Sequence, residues 1–480
     1  MSLRRVRSML AMALLFLTVA GSAAAAEEAA GNAQKPARLT IQEQSLGRIN
    51  GNWDNMKVSA DGKHLAYAED GMEVGIFLDG KKVGASEHYE NLLYAPSRIV
   101  LSPDGRRLAF VAMRWPTYSV VCGEEVGRGV DYVSWPGPVF SADGQHLVYA
   151  ATGNLKSFIV VDGLEGKEYD GVGIPAVSPQ GDKVAYFART GPAWCVVVNG
   201  REGKPCDGLR SPVFSSDGKR LAYGAQRGGK CFAVIDGVEG PDYDARDQGT
   251  IPSPQFSPDS RRVAYAVHRG TKCFVVIDGV EGAEYDAAQP PVFSPNSRRV
   301  AYVAYRGAKV LVVTDQRESP LYDGIMNTEM FTSPAFSPDS SHVAWIARRN
   351  GKTFPVVDGV DRGEYDMVWD AAFSPDGEHF ACVVDRQRDG TVKRAVVLDG
   401  KGGKEYSWVG RLVFSPDSRH LAYLVSANGK QFIVVDGVEA GDYEDTRGEP
   451  VLAFDGNDRL FTILFRGDEF FRVSVSIATP

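Results

Sequence analysis

The chain has no G-x-S-x-G nucleophile elbow, no P-loop, no dinucleotide fingerprint, no HExxH and no CxxC in its 480 residues. Those absences remove the commonest sequence grounds for a hydrolase, a nucleotide-dependent enzyme, a zinc protease or a thioredoxin-like reductase. Histidine is scarce, at seven residues, and cysteine at six. Basic charge is in deficit: 53 Lys and Arg stand against 61 Asp and Glu, for a formal net charge of −8. A nucleic-acid partner is therefore not expected. After residue 26 no run approaches the roughly 18 consecutive apolar residues that a spanning helix needs, so no membrane span is expected.

The one long apolar stretch is at the start. Arg4, Arg5 and Arg7 precede apolar residues 9–20, and Gly21-Ser22-Ala23-Ala24-Ala25-Ala26 follows before two glutamates. This is the pattern of a secretory signal peptide over residues 1–26, without a twin-arginine pattern and without a cysteine to accept lipid. The expected location is periplasmic or secreted. Removing the leader, which holds three arginines and no acidic residue, takes the formal charge from −8 to −11. Residues 27–37 read as a flexible N-terminal segment.

A repeat fills the rest. The stretch at residues 256–286, FSPDSRRVAYAVHRGTKCFVVIDGVEGAEYD, returns with small changes through the turn positions Asp61, Asp104, Asp143, Gln180, Asp217, Asp259, Asn296, Asp339, Asp376, Asp417 and Asp455, at steps of 37 to 43 residues. Such a period marks a propeller or a repeat array. In each unit a short apolar run such as residues 291–294 meets a Pro-Asn-Ser turn. Residues 300–305 then offer apolar side chains on both faces, as a sheet sandwiched between two neighbours requires. A third run, residues 273–277, leads into Asp278-Gly279, a strong hairpin signal, and a last short strand carries Glu284-Tyr285-Asp286. Four strands in about 40 residues, joined by tight turns, make a propeller blade.

The recurring SPDG/SPDS, AYVA and VVDG segments resemble the TolB-like, WD-type β-propeller repeats of bacterial envelope proteins, over nearly all of the chain after the leader. The resemblance implies that the xPVFS run is the innermost strand of each blade and the EYD run the outermost. It implies a fold and no one function, because such repeats accompany many roles. TolB-like proteins carry a separate α/β domain before the propeller, whereas here a short segment joins the leader to the first repeat, so a Tol-specific role is not implied.

The last repeat supplies three runs, residues 451–454, 459–465 and 470–477, and an unassigned β-like run lies ahead of the first repeat at residues 38–42. Pairing the two ends completes a blade and removes an exposed edge. The expected fold is thus all-β: residues 38–480 form a β-propeller of about eleven four-stranded repeats in one ring closed by the N-terminal strand. Two fused propellers or an open arc are the alternatives, since ordinary rings hold roughly 4–8 blades. No Pro/Gly/Ser-rich linker interrupts the repeat.

Most residues with catalytic potential fall on repeat positions. His64, His146, His342, His379 and His420 share a slot three residues after the turn that holds Arg107, Arg220, Arg262 or Arg299 elsewhere; a slot open to either residue reads as a solvated strand start. Asp162, Asp236, Asp278, Asp358, Asp399 and Asp436 open hairpin turns, where an Asp before Gly accepts local backbone hydrogen bonds, and Tyr169, Tyr243, Tyr285, Tyr365 and Tyr443 follow on the outer strand. No DxDxDG-like calcium loop occurs, and neither a metal nor another cofactor is expected. Cys231, Cys273 and Cys382 read as small hydrophobes between blades, and Cys122 has no partner. Cys195 and Cys206 flank the Asn199-Gly200 hairpin and form a possible disulfide if its register sets them face to face.

The irregular positions are the long connections at residues 88–99, 244–254 and 323–334, and the tryptophans. Trp53, Trp135, Trp369 and Trp408 all fall 7 to 9 residues before the turn of their repeat, in the connection from an outer to the next inner strand. In one ring they occupy blades one, three, nine and ten, an arc across the closure, with Asp54, Asp370 and Arg411 beside them. Two readings follow: inter-blade wedges, or a binding mouth of aromatic faces and charges. The functional expectation is an exported, non-enzymatic, monomeric scaffold that binds an envelope or secreted protein. A carbohydrate-binding propeller and a propeller lyase or hydrolase are the alternatives.

Overall fold

The computed structural model describes residues 38–478 except 49–52, 60–61, 70–73, 87–98, 211, 246–250, 329–330, 389–390, 445–450 and 468. The leader, the segment 27–37, the turn residue Asp61, most of the long connection at 88–99 and the middle of that at 244–254 lie outside the described residues. Every regular element described is a strand. The strands form ten antiparallel sheets, the largest of which contains two blades joined at a single Glu444–Phe465 bridge. The chain therefore builds eleven blades in sequence order, numbered 1 to 11 from Trp53 onward. It is a β-propeller.

Blade 7 shows the unit. Its inner strand comes in two pieces, Ala287–Ala288 and Val292–Phe293, which both pair with the second strand Val300–Arg306. Lys309–Thr314 and Arg317–Glu318 follow outward, and Tyr322 returns to bridge Val310 on the outer edge. The order inner to outer is the one that the resemblance implied. Residues 300–304 are all buried, because blade 6 covers one face and blade 8 the other. The cores are shared between neighbours: Val303, Val312 and Tyr322 of blade 7 pack with Trp345, Phe354 and Val356 of blade 8. Stability in such a fold is a sum of blades and nearest-neighbour interfaces.

Blade 11 is made from both ends of the chain. Glu469–Ala478 pairs with Arg38–Arg48 from Arg38 opposite Ala478 to Arg48 opposite Glu469. The N-terminal run thus becomes the fourth strand, as expected, and extends six residues beyond the stretch legible in the sequence. Blade 11 packs on blade 10 through Leu464, Val473 and Leu424. It also packs on blade 1: Leu65 and Tyr67 share a cluster with Ile463 and Phe470, and Arg472 Nε donates to the Gly62 carbonyl at 3.0 Å.

Candidate functional site

The inner strands of blades 9 and 10, Val368–Phe373 and Trp408–Phe414, each carry a bulge, between Val368 and Asp370 and between Gly410 and Val413. A bulge re-aims the side chains around it. Trp369 is turned outward at 42% exposure, with the Arg394 guanidinium 4.1 Å from its ring centroid and Arg394 Nε held by Asp385 at 3.3 Å. Asp370 is turned inward and is only 6% exposed. Its Oδ1 accepts the Ala371 amide at 2.8 Å, and the Leu412 amide, the Thr328 hydroxyl and the Arg411 guanidinium also act on it. Burial pushes the Asp370 carboxyl above the usual range, and those donors and the Arg411 charge oppose the shift. Arg411 adopts φ 58° inside the second bulge, a left-handed conformation that costs a non-glycine residue. Trp408 lies over Gly410 and packs into the core between blades 10 and 11.

Asp370 and Arg411, each expected beside a tryptophan, are brought together by the two bulges, but the tryptophans do not sit in connecting loops. Trp369 and Trp408 lie on inner strands, Trp135 in the break between the two inner pieces Tyr132–Val133 and Val139–Phe140, and Trp53 on the strand Trp53–Val58. The reason is that residues just after each outer strand already pair into the next blade. The backbones of Trp53 and Asp54 stand opposite Glu69 and Ala68, and their side chains lie outside the described part.

Blades 2 and 3 carry a second irregularity. Trp115 is 75% exposed at the hairpin between the second and third strands of blade 2, and Trp135 is 63% exposed. Leu155 is exposed at the corresponding hairpin of blade 3, and exposed Tyr132 pairs with Thr152 near that hairpin. Elsewhere the hairpin reads Arg269-Gly270 or Arg306-Gly307, so Trp115 and Leu155 were legible departures from the repeat.

The histidine slot stands at the strand start and is half-exposed in four of its five histidines, and it also makes a specific bond. His64, His146, His342, His379 and His420 each place Nδ1 within 2.5–2.8 Å of the hairpin Asp of their own blade, Asp79, Asp162, Asp358, Asp399 and Asp436. Arg220, Arg262 and Arg299 place Nε on the equivalent Asp at 2.8–2.9 Å. The slot accepts either residue because each presents a nitrogen at the same reach. Arginine does more: Arg262 Nη1 donates to the carbonyls of Ser297 and Arg298 in the next blade, and its guanidinium lies 5.3 Å from the Phe293 ring centroid.

The Cys195–Cys206 disulfide is not formed, and all six cysteines are free. The hairpin pairs Val198 with Arg201 and Val197 with Glu202, and the chain beyond it sets Cys206 opposite Trp194, not Cys195. Neighbouring strand residues face opposite sides. Cys195 accordingly packs toward blade 3 and Cys206 toward Phe232 and Val234 of blade 5.

Grooves open on the rim between adjacent blades. The groove between blades 8 and 9 has a volume of about 240 Å³ beside His342 and His379, that between blades 3 and 4 about 390 Å³, and that between blades 4 and 5 about 760 Å³. Among the described residues no group of three or more His, Cys, Asp or Glu is placed to hold a metal ion, and no helix is long and apolar enough to cross a membrane.

No family model matches the chain, and no curated protein matches it. Solved structures similar to it are β-propellers of low identity. A eukaryotic initiation factor is 14% identical over 68% of this chain and 93% of its own, with a TM-score of 0.36. TolB from Acinetobacter baumannii is 15% identical over 67% of this chain and 78% of its own, with a TM-score of 0.28. The β-propeller domain of the trilobed protease from Pyrococcus furiosus is 15% identical over 64% of this chain and 94% of its own, also with a TM-score of 0.28. These scores carry no functional argument; the propeller rests on the chain's own sheets.

Proposed function

We propose that this chain is an exported, non-enzymatic β-propeller that binds a protein partner in the cell envelope through its exposed aromatic positions. The observation that carries the reading is the exposure of Trp115, Trp135 and Trp369 in a fold that buries the tyrosines of its repeat almost completely. Tryptophan is costly to leave in water and is enriched at binding hot spots. The leader sequence supports export. The His–Asp pairs, which an enzymatic reading would recruit, are engaged in tying together the five blades that carry them.

Affinity capture from envelope extracts with the chain lacking residues 1–26 tests this directly. A reproducible protein partner supports the reading. Recovery of no protein, with signal on a glycan array instead, would replace it with carbohydrate binding, for which exposed tryptophan faces are equally suited.

A further inference from the structure

Among the described residues seven blades carry a tyrosine at one slot of the outer edge, and its hydroxyl usually reaches the next blade. Tyr169 donates to Glu202 at 2.9 Å, Tyr285 to Glu318 at 3.0 Å, Tyr406 to Glu439 at 2.7 Å and Tyr443 to Glu43 at 2.7 Å. The ring leans edge-on against the second-strand tyrosine of that blade: Tyr169 on Tyr186 and Tyr285 on Tyr302, with centroids 6.3 and 6.2 Å apart. The interfaces that follow Tyr169 and Tyr285 thus hold a phenol between an aromatic wall and a carboxylate.

Blade 4 breaks this pattern. Its slot, opposite Trp194, is filled by Cys206. Three consequences appear at the interface with blade 5. Tyr223, the equivalent of the buried Tyr186 and Tyr302, is left partly exposed. Glu239, the equivalent of Glu202, receives Lys204 at 3.1 Å and Arg227 at 3.2–3.3 Å but no tyrosine hydroxyl. The groove grows to about 760 Å³, against about 390 Å³ where Tyr169 stands in place. Val130 of blade 2 also lacks the phenol, but there Arg128 pairs with Glu165 at 2.7 Å and covers the Phe158 ring, and Tyr149 stays buried. The gap between blades 4 and 5 is lined by groups that elsewhere grip a phenol.

We propose that the groove between blades 4 and 5 is a binding site for a p-hydroxyphenyl group, from a small free phenol or a partner's tyrosine side chain. The ring takes the place of the missing tyrosine, edge against Tyr223 and over Cys206, and its hydroxyl donates to Glu239. The Cys206 thiol, held protonated by burial although Arg227 Nη2 lies 3.6 Å away, forms an uncharged wall. Aromatic pairing and a charge-assisted hydrogen bond supply the affinity.

The test is titration of the full chain with p-cresol by calorimetry, with 4-methylanisole as the analogue that cannot donate. One p-cresol is expected per chain, with the anisole at least tenfold weaker; Cys206→Tyr should abolish p-cresol binding, and Tyr169→Cys should add a second site. Competition by N-acetyltyrosinamide assigns the group to a tyrosine side chain, and its exclusion assigns it to a free phenol. Failure of p-cresol to bind, or binding that survives in folded Cys206→Tyr, would overturn the proposal. Should Cys206→Tyr not fold, Glu239→Leu, whose side chain has no acceptor, decides: loss of the preference for p-cresol over the anisole supports the site, and an unchanged preference overturns it.

Discussion

The hydroxyl of Tyr443 donates to Glu43 across 2.7 Å, although 400 residues separate the two in the chain. Arg466 holds the same carboxylate at 2.8 and 3.0 Å. The arrangement copies that of Tyr406 and Glu439 one blade earlier, so the N-terminal strand supplies the acceptor that an ordinary outer strand would. Tyr443→Phe should cost about 1 kcal/mol, the net worth of one hydrogen bond, and Glu43→Ala about 1–3 kcal/mol, because it leaves a buried hydroxyl and Arg466 without their acceptor. Urea titration of both variants measures the difference.

The Glu43 carboxyl is held below its ordinary value, first by Arg466 and then by Tyr443. A depressed folded value means that the contribution to stability is full above the unfolded value and is lost as pH falls through the folded one. Histidine works in the opposite sense. The hydrogen bond to Asp162 raises His146 above its ordinary value, so its contribution is full below the unfolded value and is lost as pH rises through the folded one. The melting temperature of His146→Ala should therefore lie furthest below that of the native chain near pH 5, and the gap should narrow by pH 8.

Asp370 is a buried carboxyl whose ionised form is penalised. Its raised folded value makes the native state bind the proton more tightly than the unfolded chain, so stability falls as pH rises from the ordinary carboxylate range through the folded value. Asp370→Asn retains an oxygen to accept the Ala371 amide and removes this dependence. Thermal melts from pH 4 to 7 should show a shallower decline in the variant.

Arg262 bonds Asp278, two carbonyls of the next blade and the Phe293 face. Arg262→Ala should destabilise by about 1–3 kcal/mol, since it strips partners from partly buried groups. Arg262→His keeps the bond to Asp278, as His342 does with Asp358, and should cost less. Parallel urea titrations rank the two.

The fold was legible because its signals are local and repeated. Turn residues such as Pro295-Asn296-Ser297 and hairpins such as Asp278-Gly279 fix strand ends within a few residues, and the missing fourth run of the last repeat pointed to the N-terminal strand. Register was not legible. Cys206 pairs with Trp194 and not with Cys195, and the bulges at Asp370 and Arg411 turn Trp369 out and Asp370 in; neither leaves a mark on apolar periodicity. The slot of Cys206 was in view throughout, since Lys204-Pro205-Cys206-Asp207 aligns with Lys167-Glu168-Tyr169-Asp170, but a replaced tyrosine gains meaning only beside its partner Glu239.

The most direct test of a binding role is quantitative capture from envelope extracts with the native chain and with a folded Trp115→Ala, Trp135→Ala, Trp369→Ala variant side by side. Hot-spot residues carry about 2 kcal/mol or more each, so the expected result is a partner retained by the native chain and lost from the variant. Equal recovery from both would contradict the account.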